Sequence, residues 1–186
     1  ARRYRVHPDA PRRELERRPL AELLPGFTGR LRRVVAELAA SGVDALRIGP
    51  IISTLADRLA RRLFEEACAA HGMELDRMVW MVHGSEGRQE QILPTDQDNA
   101  LAWQPAGADP EGAVAKRVEG VARQVVDGLL VAGYPACPGG YMATHWHDPL
   151  PGWIRRFEHW IAEPREEDGV DIHTFLDLRA VAGRLD

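Results

Sequence analysis

Two clusters in the middle of the chain have the residue types and spacing needed to hold a phosphorylated ligand through a metal ion. Gly84-Ser85 follows a short apolar run, and Asp96-Gln97-Asp98 begins after ten intervening residues. Glycine lets the backbone turn tightly and approach a ligand because it has no Cβ atom. Two carboxylates on one side of a segment can share a hard cation such as Mg²⁺ or Mn²⁺. The spacing therefore predicts a site for a nucleoside triphosphate and its metal ion.

The segments around these clusters predict how they are positioned. Residues 78–82 are apolar throughout, which is typical of a buried strand, and residues 99–103 predict a second strand. Residues 85–92 have the composition of a helix with Ser85 as its N-cap, which would aim free N–H groups and the positive dipole end at phosphate. The carboxylate pair would share one face at the leading end of the second strand. A bare Asp-x-Asp is more often a solvated loop, but the glycine turn between two apolar runs favours the site.

Together these motifs resemble the signature of the DNA polymerase beta-type nucleotidyltransferase superfamily. The longer strings at residues 84–91 and 95–100 are similar to bacterial signal-transduction nucleotidyltransferases, relatives of PII uridylyltransferase and of glutamine synthetase adenylyltransferase. Residues 137–143 and 175–183 resemble two further blocks of that group. The resemblance runs from roughly residue 50 to the end of the chain.

The resemblance implies transfer of a nucleoside monophosphate from a triphosphate to an acceptor hydroxyl, with release of pyrophosphate. Analogy alone suggests a protein acceptor. A catalytically silent nucleotide-binding module of a signalling protein is the open alternative. Relatives often carry cyclic-nucleotide-binding or CBS sensor modules upstream and a helical substrate-binding domain downstream. Because the chain starts at Ala1 rather than Met and ends soon after its last motif, we expect an excised segment of such a polypeptide.

A third metal carboxylate is placed by the resemblance on Asp177, which would join Asp96 and Asp98 in a two-ion site. Residues 170–178 are rich in β-branched and aromatic residues and predict a final strand. Asp171 would face the same side of an unbroken strand and is the second candidate. The alternative explanation for Asp177 is an ion pair with a neighbouring arginine, either Arg179 or Arg156.

Arg88 lies within the glycine-containing motif, and two roles are open for it. Its guanidinium could contact a phosphate of the nucleotide, together with Gly84 and Ser85. It could equally pair with Glu90 or Asp96 and hold the loop.

Three further groups of residues carry weaker signals. His145-Trp146-His147 lacks the additional ligands that zinc needs, so a solvated loop or a site rim is the better interpretation. Nothing in the sequence lowers the pKa of Cys137, which favours a small buried residue over a nucleophile. Asp57-Arg58 resembles a family feature, although pairing on a helix surface explains it equally well.

The order of elements predicts an α/β (α+β) fold, with a polymerase beta-like core of one small mixed sheet and flanking helices. Residues 1–19 are rich in Arg and Pro and are predicted to be a linker or arm. Residues 20–73 contain two stretches with apolar residues at helical spacing and predict an N-terminal helical hairpin. Residues 74–186 form the predicted catalytic core, with helices expected over 113–131 and 151–161.

Composition limits the classes of partner. The 186 residues are 45% apolar, enough for one substantial core. A formal net charge of −4 argues against broad nucleic-acid binding, despite the polymerases in the superfamily. The two cysteines, far apart in sequence, indicate no disulfide framework and favour a cytoplasmic location. No apolar run is long enough to span a membrane, so we expect no membrane partner.

Overall fold

The computed structural model describes residues 15–105, 107, 112–165 and 168–185. Most of the predicted N-terminal arm, residues 1–14, lies outside these residues. Just after it, Leu15 is only 2% exposed and packs into the main hydrophobic core.

Within the described residues, four strands form one mixed sheet in the order β3-β2-β1-β4. The strands are β1 (Arg77–Val82), β2 (Asn99–Trp103), β3 (His147–Pro149) and β4 (Arg179–Leu185). The helices are α1 (Leu20–Leu23), α2 (Phe27–Ala40), α3 (Ala45–His71), α4 (Gly84–Gly87), α5 (Ala113–Ala132), α6 (Leu150–Ala162) and α7 (Gly169–Phe175). Strand β1 runs antiparallel to β2 and β4, whereas β3 runs parallel to β2. The predicted α/β fold with a small mixed sheet and flanking helices is confirmed.

The sheet is covered on both faces, which explains why β1 is apolar throughout. Met78, Trp80 and Val82 point into the larger core, which also contains residues of α3 and α5. Val79 and Met81 point into a second core with aromatic residues of α6 and α7. Side chains on a strand alternate between faces, so a strand between two helical layers must be apolar at every position.

Helix α3 begins at a side-chain cap and ends at a glycine. The Asp44 side chain accepts a hydrogen bond from the N–H of Leu46 at 2.9 Å, and Gly72 ends the helix with a left-handed φ of 63°. Pro50 lies inside the helix rather than in its first turn. No described helix combines the length and the apolar character that a membrane-spanning segment requires.

The predicted helix over residues 85–92 is wrong. Helix α4 is a single turn, and the chain leaves it through Gln89, whose φ is +59°. A right-handed helix cannot continue through a residue in the left-handed region. The segment from there to β2 has no regular secondary structure.

The predicted strand over residues 170–178 is also wrong. Helix α7 occupies its first part, and β4 begins only at Arg179. Ile172 and Phe175, three residues apart, both pack into the second core, whereas Val170 is 65% exposed. The apolar side chains therefore follow the helical period rather than the alternation of a strand.

Candidate functional site

The sheet order brings three segments of the chain to one place. Val82, at the end of β1, pairs with Asn99 at the start of β2 and with Arg179 at the start of β4. Because both pairings are antiparallel, the residues that precede β2 and β4 flank those that follow β1. The turn of α4, the aspartates before β2 and the segment before β4 therefore meet at one edge of the sheet.

Two glycines allow these segments to approach closely. Gly84 has a φ of +56°, and a Cβ atom there would lie 3.3 Å from Oδ2 of Asp98. A Cβ atom on Gly87 would overlap the main-chain oxygen of Asp177. Larger residues at these two positions would push the turn away from the aspartate on either side of it.

Ser85 lies inside the turn of α4 rather than at the predicted N-cap position. The N-cap is His83, whose side chain makes no capping hydrogen bond. Its ring packs 4.8 Å from the Phe175 ring, and burial lowers the pKa of His83 to about 4. A single turn has little macrodipole, so phosphate binding here would depend on the N–H groups at its start and on the hydroxyl of Ser85, a partly exposed residue.

Glu86 is a buried carboxyl group directly behind the turn. It is 8% exposed, and burial, with repulsion from Asp57, raises the pKa of Glu86 to about 8, although Arg179 opposes this shift. The protonated form therefore predominates at neutral pH. The sequence does not reveal this burial, because a glutamate after Gly-Ser is equally compatible with a solvated residue.

Arg179 forms an ion pair that the sequence did not reveal. Its guanidinium binds both carboxylate oxygens of Asp57, at 2.8 and 3.0 Å, and this raises the pKa of Arg179. Arg179 therefore pairs with Asp57 of α3, and not with Asp177 as one alternative from the sequence had it. Arg58, the neighbour of Asp57, instead binds Glu16 at 3.1 Å.

Asp96 and Asp98 lie next to each other and to a thiol. One ligand atom from each aspartate and from Cys137 lie within 4.8 Å of one another. Burial raises the pKa of Asp98, and a hydrogen bond with Cys137 opposes that shift. Burial also raises the pKa of Cys137, so this thiol is not an activated nucleophile. The two carboxylates suit a hard ion such as Mg²⁺ or Mn²⁺, whereas a thiol is a soft ligand and adds little for such an ion.

The residues that alternate with these aspartates hold the site to the rest of the molecule. Gln97 donates to the carbonyl oxygens of Tyr134 at 3.1 Å and Val126 at 3.3 Å. Asn99 accepts a hydrogen bond from the N–H of Ala143 at 2.8 Å. Both amides are 2% exposed. The alternation of acid and amide in this motif was the sequence signal from which the anchoring role of the two amides could have been inferred, since an ion needs only the acids.

Asp177 pairs with Arg88 rather than with Arg179 or Arg156. Nη1 of Arg88 donates to Asp177 at 2.5 Å, and its Nε donates to Glu90 at 2.9 Å. The pairing of Arg88 with Glu90, one of the alternatives open for this residue, is therefore present. Within the described part of the chain, the cluster of ligand atoms beside Asp98 does not include Asp177.

Asp171, the second candidate for the third carboxylate, has another partner. It lies on α7 and accepts a hydrogen bond from the Tyr141 hydroxyl at 2.8 Å. The predicted strand face shared with Asp177 does not exist, because Asp171 lies within α7 and Asp177 lies between α7 and β4.

The chain matches the model of the family described as "Putative nucleotidyltransferase DUF294" over residues 29–167. The chain belongs to this family. A comparison with curated proteins finds no match. The nucleotidyltransferase match includes α4 and the aspartate pair, whereas Asp177 and β4 lie beyond it. Nucleotidyltransferases act on a nucleoside triphosphate, so the family implies this class of substrate. Such enzymes typically use a divalent metal ion, and the aspartate pair with Cys137 is a possible site for one.

The nucleotidyltransferase region also contains the segment between α5 and α6. Gly140, with a φ of +76°, belongs to a tight turn in which its N–H donates to the carbonyl of Cys137 at 3.0 Å. Tyr141 stacks on Trp146, with ring centroids 5.7 Å apart. His147 contacts the carbonyl oxygen of Ala143 through Nδ1 at 2.8 Å and starts β3, a strand that the sequence did not predict.

Proposed function

We propose that this chain transfers a nucleoside monophosphate from a nucleoside triphosphate to an acceptor hydroxyl and releases pyrophosphate. The contact between the glycine turn and the aspartate pair carries the proposal. The N–H of His83 donates to the carbonyl of Asp98 at 3.2 Å, which holds the start of α4 against the start of β2. Groups suited to phosphate and groups suited to a cation are thereby adjacent.

Asp96 and Asp98 are the residues that would hold Mg²⁺ or Mn²⁺, with Asp177 as the third carboxylate. A bound divalent ion supplies charge stabilisation on phosphate oxygens and lowers the pKa of a hydroxyl. Gly84 and Ser85 would bind the terminal phosphates through N–H groups and the serine hydroxyl. Holding the triphosphate at fixed points orients its α-phosphorus toward the acceptor, and this positioning contributes a large part of the acceleration.

The Arg88–Asp177 pair supports a role for both residues in this reaction. Their side chains are 46% and 31% exposed, so breaking the pair costs little in a solvated position. A triphosphate would offer Arg88 phosphate oxygens as alternative acceptors. The carboxylate of Asp177 would then be available to an ion.

The proposals for the acceptor, the neighbouring domains and the partners extend the resemblance. We propose a hydroxyl on a bacterial regulatory protein as the acceptor, sensor domains upstream and helical domains downstream in one cytoplasmic polypeptide, and no role for nucleic acid or membrane. The division into an arm (1–19), a helical hairpin (20–73) and a catalytic core (74–186) also stays a prediction.

A catalytically silent nucleotide-binding module is the second candidate function. It is favoured by two observations: Asp177 is engaged by Arg88, and the third group beside the aspartate pair is the Cys137 thiol. A site with only two carboxylates could bind a metal–nucleotide complex without completing the transfer.

Calorimetric titration with ATP, UTP, CTP and GTP in the presence of Mg²⁺, followed by a pyrophosphate-release assay, separates the two functions. Cell lysate supplies the acceptor in the second assay, and mass spectrometry with labelled nucleotides identifies it. Binding with release supports the transferase. Binding without release supports the silent module, and absence of binding to all four nucleotides contradicts both.

A further inference from the structure

One guanidinium ties together three segments that meet at the site. Arg179, at the start of β4, binds Asp57 of α3 through two hydrogen bonds of 2.8 and 3.0 Å. The same group donates to the carbonyl oxygen of Glu86 at 3.0 Å and to that of Gly87 at 3.1 Å. Both carbonyls belong to α4, so Arg179 connects α3, β4 and the glycine turn.

The turn needs such an external donor. Helix α4 has four residues, too few for its own hydrogen bonds to stabilise it. The last carbonyl groups of any helix have no donor within that helix. Arg179 supplies charged donors to two of them, and hydrogen bonds of this type are among the stronger ones in proteins. The carbonyl of Glu86 also accepts from the N–H of Gln89 at 3.1 Å, so Arg179 adds to that bond and supplies the donor for the carbonyl of Gly87.

From these contacts we infer that Arg179, oriented by Asp57, is a positioning residue that holds the phosphate-binding turn in place. This inference rests on the proposed function, because that function gives the turn its ligand. Ser85 and Arg88 remain partly exposed on the turn, while Glu86 is buried behind it and Gly87 lies against the main chain of Asp177. Arg179 therefore fixes the turn on the side of Glu86 and Gly87 and leaves the ligand-binding groups, Ser85 and Arg88, accessible.

The planar shape of the guanidinium is essential to this arrangement. It presents donors in several fixed directions at once, whereas a lysine ammonium is a compact group on a flexible stem. One ammonium cannot bind both oxygens of Asp57 and also reach two separate carbonyls. Arg179→Lys should therefore loosen the turn while keeping the positive charge that the buried surroundings of Asp57 require.

Arg61 provides a matched control. It lies on α3, as Asp57 does, and it also ties α3 to β4, donating to the carbonyl oxygen of Val181 at 2.7 and 3.2 Å. These hydrogen bonds go to the middle of β4 and not to α4. Arg61→Ala therefore removes a connection of the same two elements without touching the turn.

The experiment compares the unaltered protein with R179A, R179K, D57N and R61A. Hydrogen–deuterium exchange of a peptide covering residues 84–90 reports on the turn, and kinetics with a nucleoside triphosphate report on its ligand. We expect R179A and R179K to raise both the exchange rate of this peptide and the KM for the triphosphate by about tenfold. The KM should rise more than kcat falls, D57N should give a smaller effect, and R61A should leave both unchanged.

If the Arg179 and Arg61 variants have the same exchange rate of this peptide and the same KM, Arg179 only connects α3 to β4, and the inference is overturned. R179K and D57N keep the test valid should R179A fail to fold. If the unaltered protein binds no triphosphate, the proposed function fails separately. The exchange data then decide: faster exchange in R179K than in R61A supports the positioning role, and equal exchange overturns it.

Discussion

The two halves of the candidate site are built differently. The turn half, α4, is held by hydrogen bonds from Arg179 to its carbonyls and by close glycine contacts. The carboxylate half consists of partly exposed acids: Asp177 pairs with the exposed side chain of Arg88, and Asp98 pairs with the thiol of Cys137. The groups proposed for phosphate are therefore positioned before any ligand binds, whereas the proposed ligands of the ion keep partners that they can exchange.

Asp96→Asn combined with Asp98→Asn removes the aspartate pair of the carboxylate half and has the largest expected effect. Loss of the ion's ligands should lower pyrophosphate release by at least about 1000-fold, since a bound ion is worth several kcal/mol in such a reaction. Circular dichroism and thermal unfolding should stay close to those of the unaltered protein, because both side chains are partly exposed. Asp127→Asn, at an exposed position of α5, is the control. Unchanged release in the double variant would refute the assignment.

Gly87→Ala displaces the turn half of the site. The new methyl group would meet the main-chain oxygen of Asp177, so either α4 or the segment before β4 must move. We expect a loss of about 1–3 kcal/mol in the free energy of unfolding, measured by urea denaturation, together with weaker triphosphate binding. Gly29→Ala is the matched control, because a Cβ atom there contacts nothing and α2 should gain up to about 1 kcal/mol. Similar losses in both variants would contradict the predicted clash.

Asp177→Asn sharpens the contrast between the halves. The pair with Arg88 is partly exposed, so its loss should change the free energy of unfolding by less than about 1 kcal/mol. If Asp177 is the third carboxylate, transfer should fall by about 10- to 100-fold at the same stability. Glu90→Gln removes the other partner of Arg88 and should leave the rate unchanged. A full rate in the Asp177 variant would exclude this residue from the ion site.

Glu86→Gln tests the buried side of the turn through pH. The pKa of Glu86 is about 8 in the folded chain, against an ordinary value of 4.5. Between these values the folded state keeps a proton that the unfolded state has lost, so this group lowers stability as pH rises from 4.5 to 8. The glutamine variant should lack that decline and become more stable than the unaltered protein toward pH 8. Urea denaturation at several pH values measures this, and identical pH profiles would contradict it.

The sequence predicted the elements that are specified locally. Unbroken apolar character identified β1 and β2, and apolar residues at helical spacing identified α3, α5 and α6. The predictions over residues 85–92 and 170–178 were wrong because tertiary contacts decide those segments. Gln89 takes a left-handed conformation, and packing of Phe175 in the second core favours a short helix over a strand.

The sequence placed the aspartates and the glycine turn together, but their functional roles stay predictions. The pairs that support them were not readable, since Arg179 and Asp57 are 122 positions apart and meet only through the order of the strands. The pair of Arg88 with Asp177 spans 89 positions for the same reason. A single sequence shows which residue types are present, whereas such pairings depend on the completed sheet.

The most direct measurement is anomalous diffraction from crystals grown with Mn²⁺ and a non-hydrolysable nucleoside triphosphate. We predict an anomalous peak between the carboxylates of Asp96 and Asp98, with the terminal phosphates at the N–H groups of Gly84 and Ser85. A peak at another place, or phosphates bound away from α4, would contradict the proposed site.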